Sequence, residues 1–236
     1  MKKMMKKLFL VLLIFISFTT ISAQTQDEQP AVETETKQSF FDRLDFFFCL
    51  TPSIYLNTKS KASSAPSPVF YPLYIGLDYS INSFISVQPS LRIYMNYFLC
   101  DGTNALPAEI ENRTALAYSF FLNLPANFNV LKLNKSKLNL SAGLGILIRF
   151  ATLANNVNET DYGATGSAKD DVKFINEWFY QKARFLYLTG GIDYIYSITD
   201  TIKLGPEFFI AIPLGSLFSE FSLQEMLFSL GLKIMF

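Results

Sequence analysis

Residues 228–236 read Phe-Ser-Leu-Gly-Leu-Lys-Ile-Met-Phe, and this stretch decides the fold. Bulky apolar residues stand at every second position, and the residues between them are small or polar apart from Met235. Successive side chains of a β-strand point to opposite faces, so this alternation predicts a strand with one apolar face. The strand carries the last residue of the sequence, Phe236.

The same period of two recurs along the chain from Asp45 onward. Residues 137–149 and 202–212 alternate as clearly as the last stretch, and five further segments fit the same template. The eight predicted strands are 45–57, 70–81, 84–99, 114–131, 137–149, 182–196, 202–212 and 228–236.

The connections between these strands alternate in length. Tight turns are predicted at 82–83, 134–136 and 199–200. The long, mostly polar connections are 58–69, 100–113, 151–181 and 214–224. Short turns on one side of a membrane and long loops on the other are typical of outer-membrane barrels.

The first residues have the layout of a secretory signal peptide. Lysines dominate residues 1–7, an apolar run covers 8–16, and small residues precede a cleavage point after Ala23. A transmembrane anchor is the alternative, but the apolar run is far shorter than the ~20 residues that a spanning helix needs. We therefore predict a signal peptide over 1–23, a flexible periplasmic arm over 24–44 and a barrel over 45–236.

The fold class follows from the need to pair the backbone. In hydrocarbon every backbone N–H and C=O must be satisfied within the protein, so only helices and closed barrels span a membrane. After the first segment no apolar run is long enough for a helix, and the sequence predicts an all-β, closed, eight-stranded, antiparallel, up-and-down transmembrane β-barrel. The alternative is a soluble, lipocalin-type barrel with its apolar face inward. The abundance of Gly, Ser, Asn and charge on the other face favours the membrane version.

A resemblance to a known group supports this interpretation. The last strand, ending in Phe236, resembles the membrane-insertion terminus of bacterial outer-membrane proteins, and region 45–236 resembles the small OmpA-type and OmpW-like barrels. The resemblance implies a location in the bacterial outer membrane. It also implies outer-membrane lipid and the barrel-assembly machinery as partners.

Candidate chemistry is limited by the complete absence of histidine. Outer-membrane barrel enzymes resemble one another in using His as a base, so we predict no catalytic residue. No metal cluster and no cofactor are predicted, and Asp170 and Asp171 in the third long loop are expected to be solvated. The net charge of zero argues against nucleic acid as a partner. Cys49 and Cys100 lie at opposite ends of the predicted barrel and are expected to be free thiols.

The inward positions of the predicted strands carry seven charged residues. They are Asp78, Arg92, Arg149, Asp193, Lys203, Glu207 and Lys233. Buried charges pair because a lone one is costly, so these residues predict an ionic plug in the lumen. Pairing across the hairpins predicts the ion pairs Glu207–Lys233 and Asp193–Lys203. The alternative is a narrow pore lined by the same charges.

Two functional classes remain open, with an enzyme as a distant third. The first is a structural or surface-interaction barrel whose long outside loops meet host or environmental ligands. The second is a narrow channel for small or hydrophobic solutes, as in OmpW-like proteins. In the third long loop, the alternation in 172–181 predicts an extension of the sixth strand beyond the membrane.

Overall fold

The computed structural model describes residues 43–59, 65–155, 157–219 and 222–236, and for Ser219 only the backbone. The predicted signal peptide 1–23 and nearly all of the predicted arm 24–44 lie outside the described residues. The first described strand begins at Leu44, one residue before the predicted start of the barrel.

Strands make up most of the described chain. Those of the barrel and its loops are β1 (Leu44–Leu50), β2 (Ser53–Leu56), β3 (Val69–Phe70), β4 (Leu73–Ser80), β5 (Ile85–Val87), β6 (Ser90–Cys100), β7 (Ala105–Ala108), β8 (Ala115–Lys132), β9 (Ser136–Leu153), β10 (Tyr162–Gly163), β11 (Gly166–Ser167), β12 (Leu186–Ser197), β13 (Lys203–Pro213) and β14 (Met226–Met235). Helix α1 spans Ala168–Tyr180, a 3₁₀ turn follows over Gln181–Ala183, and helix α2 spans Leu214–Ser219. Neither of these helices is long and apolar enough to cross a membrane.

Several short strands are parts of longer ones. Barrel strand 1 consists of β1 and β2, barrel strand 2 of β3 and β4, and barrel strand 3 of β5 and β6, while β8, β9, β12, β13 and β14 are barrel strands 4 to 8. The break in barrel strand 3 falls at Pro89, which has no N–H to donate to the ladder. The pairing with β8 keeps one register on both sides of that break.

The eight barrel strands form a closed ring. Each pairs antiparallel with its neighbours in sequence order, and β1 pairs with the last strand as well as with the second. Phe47, for example, lies between Met235 on β14 and Gly76 on β4. The predicted strand number, direction and closure are therefore confirmed. A closed ring removes the free edges that an open sheet would leave unpaired.

The two faces of the wall differ in the way that a membrane barrel requires. On β9, Leu144 and Ile146 point outward with 62% and 45% of their surface exposed, whereas Leu147 and Arg149 point inward and are 1% exposed. The same division holds on the other barrel strands, so the apolar face is outside and most charge is inside. A soluble barrel with an inward apolar face is therefore excluded. The exposed apolar residues on the outside of the wall, called the outer belt, face hydrocarbon.

The three predicted turns are confirmed, and the described parts of the long connections lie where they are predicted. The second long loop contains β7, and the interior of the third loop is not a strand. Residues 168–180 form α1 instead of extending barrel strand 6. Ser167 caps the helix, and a reciprocal hydrogen bond with Asp170 completes a capping box. Ile175 and Phe179 are buried four residues apart, which is the period of a helix. The predicted strand is wrong because Phe174, Trp178 and Tyr180 match a period of two by parity alone, whereas the buried residues follow the period of a helix.

Candidate functional site

The interior of the barrel is filled in three layers, from the short-turn end to the long-loop end. The lower ionic cluster consists of Arg92, Asp193, Glu207 and Lys233. Above it lies an aromatic layer. The third layer, called the cap, closes the long-loop end and combines α1, Arg149 and Glu225.

Glu207 on β13 lies at the centre of the lower ionic cluster. Its Oε1 accepts a hydrogen bond of 3.1 Å from the hydroxyl of Tyr74 and lies 3.5 Å from Nη2 of Arg92. Its Oε2 lies 3.5 Å from Nζ of Lys233 and accepts a hydrogen bond from the thiol of Cys49. Both oxygens of a fully buried carboxylate are thus compensated, as burial of a charge requires.

Lys233 joins this carboxylate to a second one. Its Nζ lies 3.4 Å from Oδ2 of Asp193 and donates to Oε1 of Gln88 at 2.9 Å. Asp193 also accepts a hydrogen bond of 2.7 Å from the amide of Asn139. With Arg92, the cluster contains two cations and two carboxylates, so the buried charge is balanced.

Arg92 is held between aromatic rings rather than in solvent. Its guanidinium carbon lies 3.9 Å from the ring centre of Tyr74 and 3.4 Å from that of Phe209. Its Nη1 also donates to the hydroxyl of Ser229 at 3.1 Å. Stacking of a desolvated guanidinium on aromatic faces is favourable, so these rings fix the side chain across the lumen.

The structure brings one of the two predicted ion pairs together and not the other. Glu207 and Lys233 are in contact, but the predicted Asp193–Lys203 pair is wrong. Lys203 pairs with Asp45 on β1, and Asp193 pairs with Lys233. The hairpin is centred on Asp200, so Asp193 lies opposite Glu207 rather than near Lys203. The prediction placed that centre one to three residues too early in the chain.

The remaining predicted lumen residues lie at different heights. Asp78 is buried and has a contact of 3.5 Å with Lys137, which is about one quarter exposed. Arg149 lies far above the lower ionic cluster, in the cap. Cys49 and Cys100 are both free, as predicted, and both are buried.

The middle of the lumen is occupied by aromatic side chains. The hydroxyls of Tyr55 and Tyr94 are hydrogen-bonded, and the ring of Phe70 lies 4.5 Å from that of Tyr94. On the opposite wall, Phe121 meets Tyr187 edge to face at 5.3 Å. All five residues are at most 6% exposed, so this layer leaves little free cross-section.

The cap is built around a second buried ion pair. Nη1 of Arg149 lies 2.7 Å from Oε2 of Glu225, and Nε1 of Trp178 donates to Oε1 of Glu225 at 3.1 Å. The guanidinium of Arg149 also lies 4.1 Å above the ring of Phe179. Glu225 has a φ of +64°, a conformation that is uncommon for a residue other than glycine. The backbone before β14 therefore adopts an unfavourable conformation that directs this carboxylate into the lumen.

Helix α1 is attached to the wall as well as to the cap. β12 begins opposite Ile146 of β9, so the upper end of β9 extends beyond its strand partner. Asn176 supplies the missing partners at Ala151, accepting from its N–H and donating to its carbonyl. Tyr180 makes the same exchange with the backbone of Arg149. The helix thus takes the place of a strand at this edge.

Two acidic residues of the third loop have structural partners. The prediction that Asp171 is solvated is wrong, because its side chain is buried. It accepts hydrogen bonds from the N–H groups of Ala164 and Thr165. Hydrogen bonds from the hydroxyl and N–H of Ser167 lower the pKa of Asp170, which is exposed. The described residues contain no group of three or more His, Cys, Asp or Glu side chains that could hold a metal ion. Asp170 and Asp171 are therefore held by hydrogen bonds within the loop.

Sequence reasoning missed Glu225, Trp178 and Tyr74. The motif Ser167-x-x-Asp170 before buried positions at helical spacing was the available signal for α1 and hence for Trp178. Tyr74 lies four positions from Asp78 on the same strand, so both side chains point into the lumen. The alternating pattern could therefore have identified Tyr74 as a lumen residue. Glu225 lies in a loop without periodicity, and nothing in the sequence marks it.

Fold and interior together define a class of protein: a small transmembrane β-barrel with a filled lumen. No family model and no curated protein matches the chain. Among solved structures it is similar to the outer-membrane protein OprG of Pseudomonas aeruginosa, with 9% identity, coverage of 82% of this chain and 95% of that one, and a TM-score of 0.49. It is also similar to Neisserial surface protein A, with 10% identity, 81% and 95% coverage, and a TM-score of 0.48.

A third similar structure is Ail of Yersinia pestis, solved with the heparin analogue sucrose octasulfate. It shares 11% identity over 82% of this chain and 97% of that one, with a TM-score of 0.42. The similar structures are outer-membrane barrels, but identities and TM-scores this low assign no family and no role. The fold described above rests on the strand pairings of this chain.

Proposed function

We propose that this chain is a non-enzymatic integral outer-membrane barrel that acts through its long loops at the cell surface. The cap is the observation that carries the proposal. The Arg149–Glu225 pair and the two exchanges between α1 and β9 hold the third and fourth long loops against the barrel end. Loops fixed in this way present a defined surface, while the three filled layers oppose passage through the lumen.

The route to the membrane is part of the proposal. Residues 1–23 serve as a cleaved signal peptide, and 24–44 form a periplasmic arm. The terminal strand, ending in Phe236, presents the insertion signal to the barrel-assembly machinery. Phe236 supports this role through its position, since its N–H and carbonyl both bond to Phe46 and close the ring at the short-turn end.

Labelling of intact cells tests the location and the orientation together. Both native thiols are buried, so they give little background. Tyr162→Cys places a thiol at a 78% exposed position of the third long loop, and Asp200→Cys places one in an exposed short turn. A membrane-impermeant maleimide added to intact cells should label the first variant and leave the second unlabelled until the cells are opened. Labelling of Asp200→Cys alone on intact cells would contradict the proposal.

A narrow channel is the second candidate, and one observation favours it. Several buried polar atoms near the short-turn end have no hydrogen-bond partner in the protein, including both side-chain atoms of Asn127 and Nε2 of Gln88. Buried groups of this kind are normally satisfied by water, and such water would enter the lower lumen from the short-turn end. A path for solutes through the barrel would then require displacement of the aromatic layer and the cap.

An enzyme has the weakest support, since the chain lacks histidine.

A further inference from the structure

An apolar groove runs across the outside of the wall, apart from the loops and the lumen. It has a volume of about 860 Å³ and extends over barrel strands 1 to 5. Volumes of roughly 300–1,000 Å³ are typical of small-molecule sites. The groove has no role in the function proposed above.

The course of the groove follows one row of cross-strand neighbours. Phe47, Gly76, Ser90, Asn123 and Gly145 are successive partners in the sheet, and all five point inward. The outward residues on either side of each member form the two walls. The groove is thus a valley that crosses the strands along their hydrogen-bonding direction.

The composition of the walls identifies the occupant. Phe46, Leu91, Leu122 and Ile146 are among the outward residues, and none of the described residues that line the groove is charged. Pro89 on barrel strand 3 has a compact ring, whereas the outward residues of the adjacent strands have longer side chains. This difference leaves space in the middle of the groove. The groove is continuous with the outer belt, so it opens to hydrocarbon rather than to water.

The dimensions fit one hydrocarbon chain of one leaflet. Strands lie ~4.8 Å apart, so a row over five strands is about 19 Å long. With the strand tilt of about 35–45° usual in such barrels, the row rises by about 12 Å along the membrane normal. One leaflet of hydrocarbon is about 15 Å thick, half of the ~30 Å core. The row starts on β1 three residues after its first residue, Leu44, and ends at Gly145, near the middle of β9. The groove therefore lies in the leaflet on the short-turn side.

We propose that this groove binds an acyl chain of a membrane lipid from the leaflet on the short-turn side. An acyl chain in the groove makes dispersion contacts with both walls, and these contacts are lost when the groove is empty. A chain on a convex part of the outer belt contacts the protein on one side only. A chain in the groove therefore exchanges with bulk lipid more slowly than the other lipids around the barrel.

Electron paramagnetic resonance tests the proposal on the full barrel in dioleoylphosphatidylcholine vesicles. The probe is a trace of phosphatidylcholine with a spin label near the end of its acyl chain. Wild type should show a slowly exchanging population of about one lipid per barrel. Leu122→Trp fills the groove and should lower that population by about tenfold, a difference of ~1.4 kcal/mol.

The matched control is Leu230→Trp, at an outward position that is not part of the groove. It should retain the slow population. Ile75→Trp, on another strand of the groove, repeats the test if Leu122→Trp does not fold. A wild type with only fast exchange, or equal retention in a folded groove variant and wild type, would overturn the proposal. Equal loss in Leu230→Trp would also overturn it, because the effect would not be specific to the groove.

Discussion

The lower ionic cluster and the cap both bury charge, but they are built from different parts of the chain. The four charged residues of the lower cluster lie on β6, β12, β13 and β14, within the hydrogen-bonded wall. In the cap only Arg149 belongs to a barrel strand. Its partner Glu225 and the Trp178 that donates to Glu225 come from the long loops. One cluster is therefore part of the wall, and the other depends on loops that rest on it.

This difference predicts different consequences when a charge is left without a partner. Strand residues cannot move away from an unpaired charge without breaking the hydrogen bonds between strands. The full free-energy cost of the buried charge therefore lowers the stability of the barrel. A loop can open locally and admit water, which limits the cost to the energy of that opening. The lower cluster should determine the stability of the barrel, and the cap should determine the order of the loops.

Lys233→Met should have the largest effect. It leaves Glu207 and Asp193 with Arg92 as the one remaining cation of the cluster, and broken buried pairs typically cost ~3–5 kcal/mol. Unfolding of the barrel by urea in lipid vesicles, followed by gel mobility, measures the free-energy difference.

The control for this variant removes the charge imbalance. Lys233→Met combined with Asp193→Asn leaves the Arg92–Glu207 contact in place and should recover more than half of the loss. A double variant no more stable than the single one would contradict the account, because the cost would then come from packing and not from charge.

Glu225→Gln should have a smaller effect on global stability, at most about 2 kcal/mol, because the cap can open. The loss of order should concentrate in α1. Hydrogen exchange should accelerate over residues 168–180 and remain unchanged in β13 and β14. Unchanged exchange in α1 together with a loss of stability as large as that of Lys233→Met would remove the distinction between the two clusters.

The smallest expected effect is a loss of α1 stability at low pH. The folded-state pKa of Asp170 is lowered by hydrogen bonds from Ser167, so its stabilisation of α1 is present above the unfolded-state pKa near 3.9 and is lost as the pH falls through the folded-state value. Below about pH 4 the amides of the first turn of α1 should exchange faster relative to the strands. In Asp170→Asn this pH dependence should disappear. A wild-type helix whose protection is constant down to pH 2 would contradict this prediction.

The sequence predicts the wall far better than the interior. Strand alternation is a local signal, so residues such as Leu144 and Arg149 are assigned to the correct faces without knowledge of the partner strand. Ion pairs depend on where each hairpin turns, and an error of one to three residues at Asp200 was enough to assign Lys203 the wrong partner. Glu225 could not be predicted at all, because its position depends on a left-handed backbone and on tertiary contacts with Arg149.

Single-channel recording of the purified barrel in planar bilayers tests the central claim most directly. The filled lumen predicts no steady conductance for wild type. It predicts none for Glu225→Gln either, because the aromatic layer and the lower ionic cluster still occupy the lumen when the cap opens. A long-lived open state in wild type would contradict the closed lumen. A steady current that appears only in Glu225→Gln would show that the cap alone closes the barrel and would favour a gated channel over a surface role.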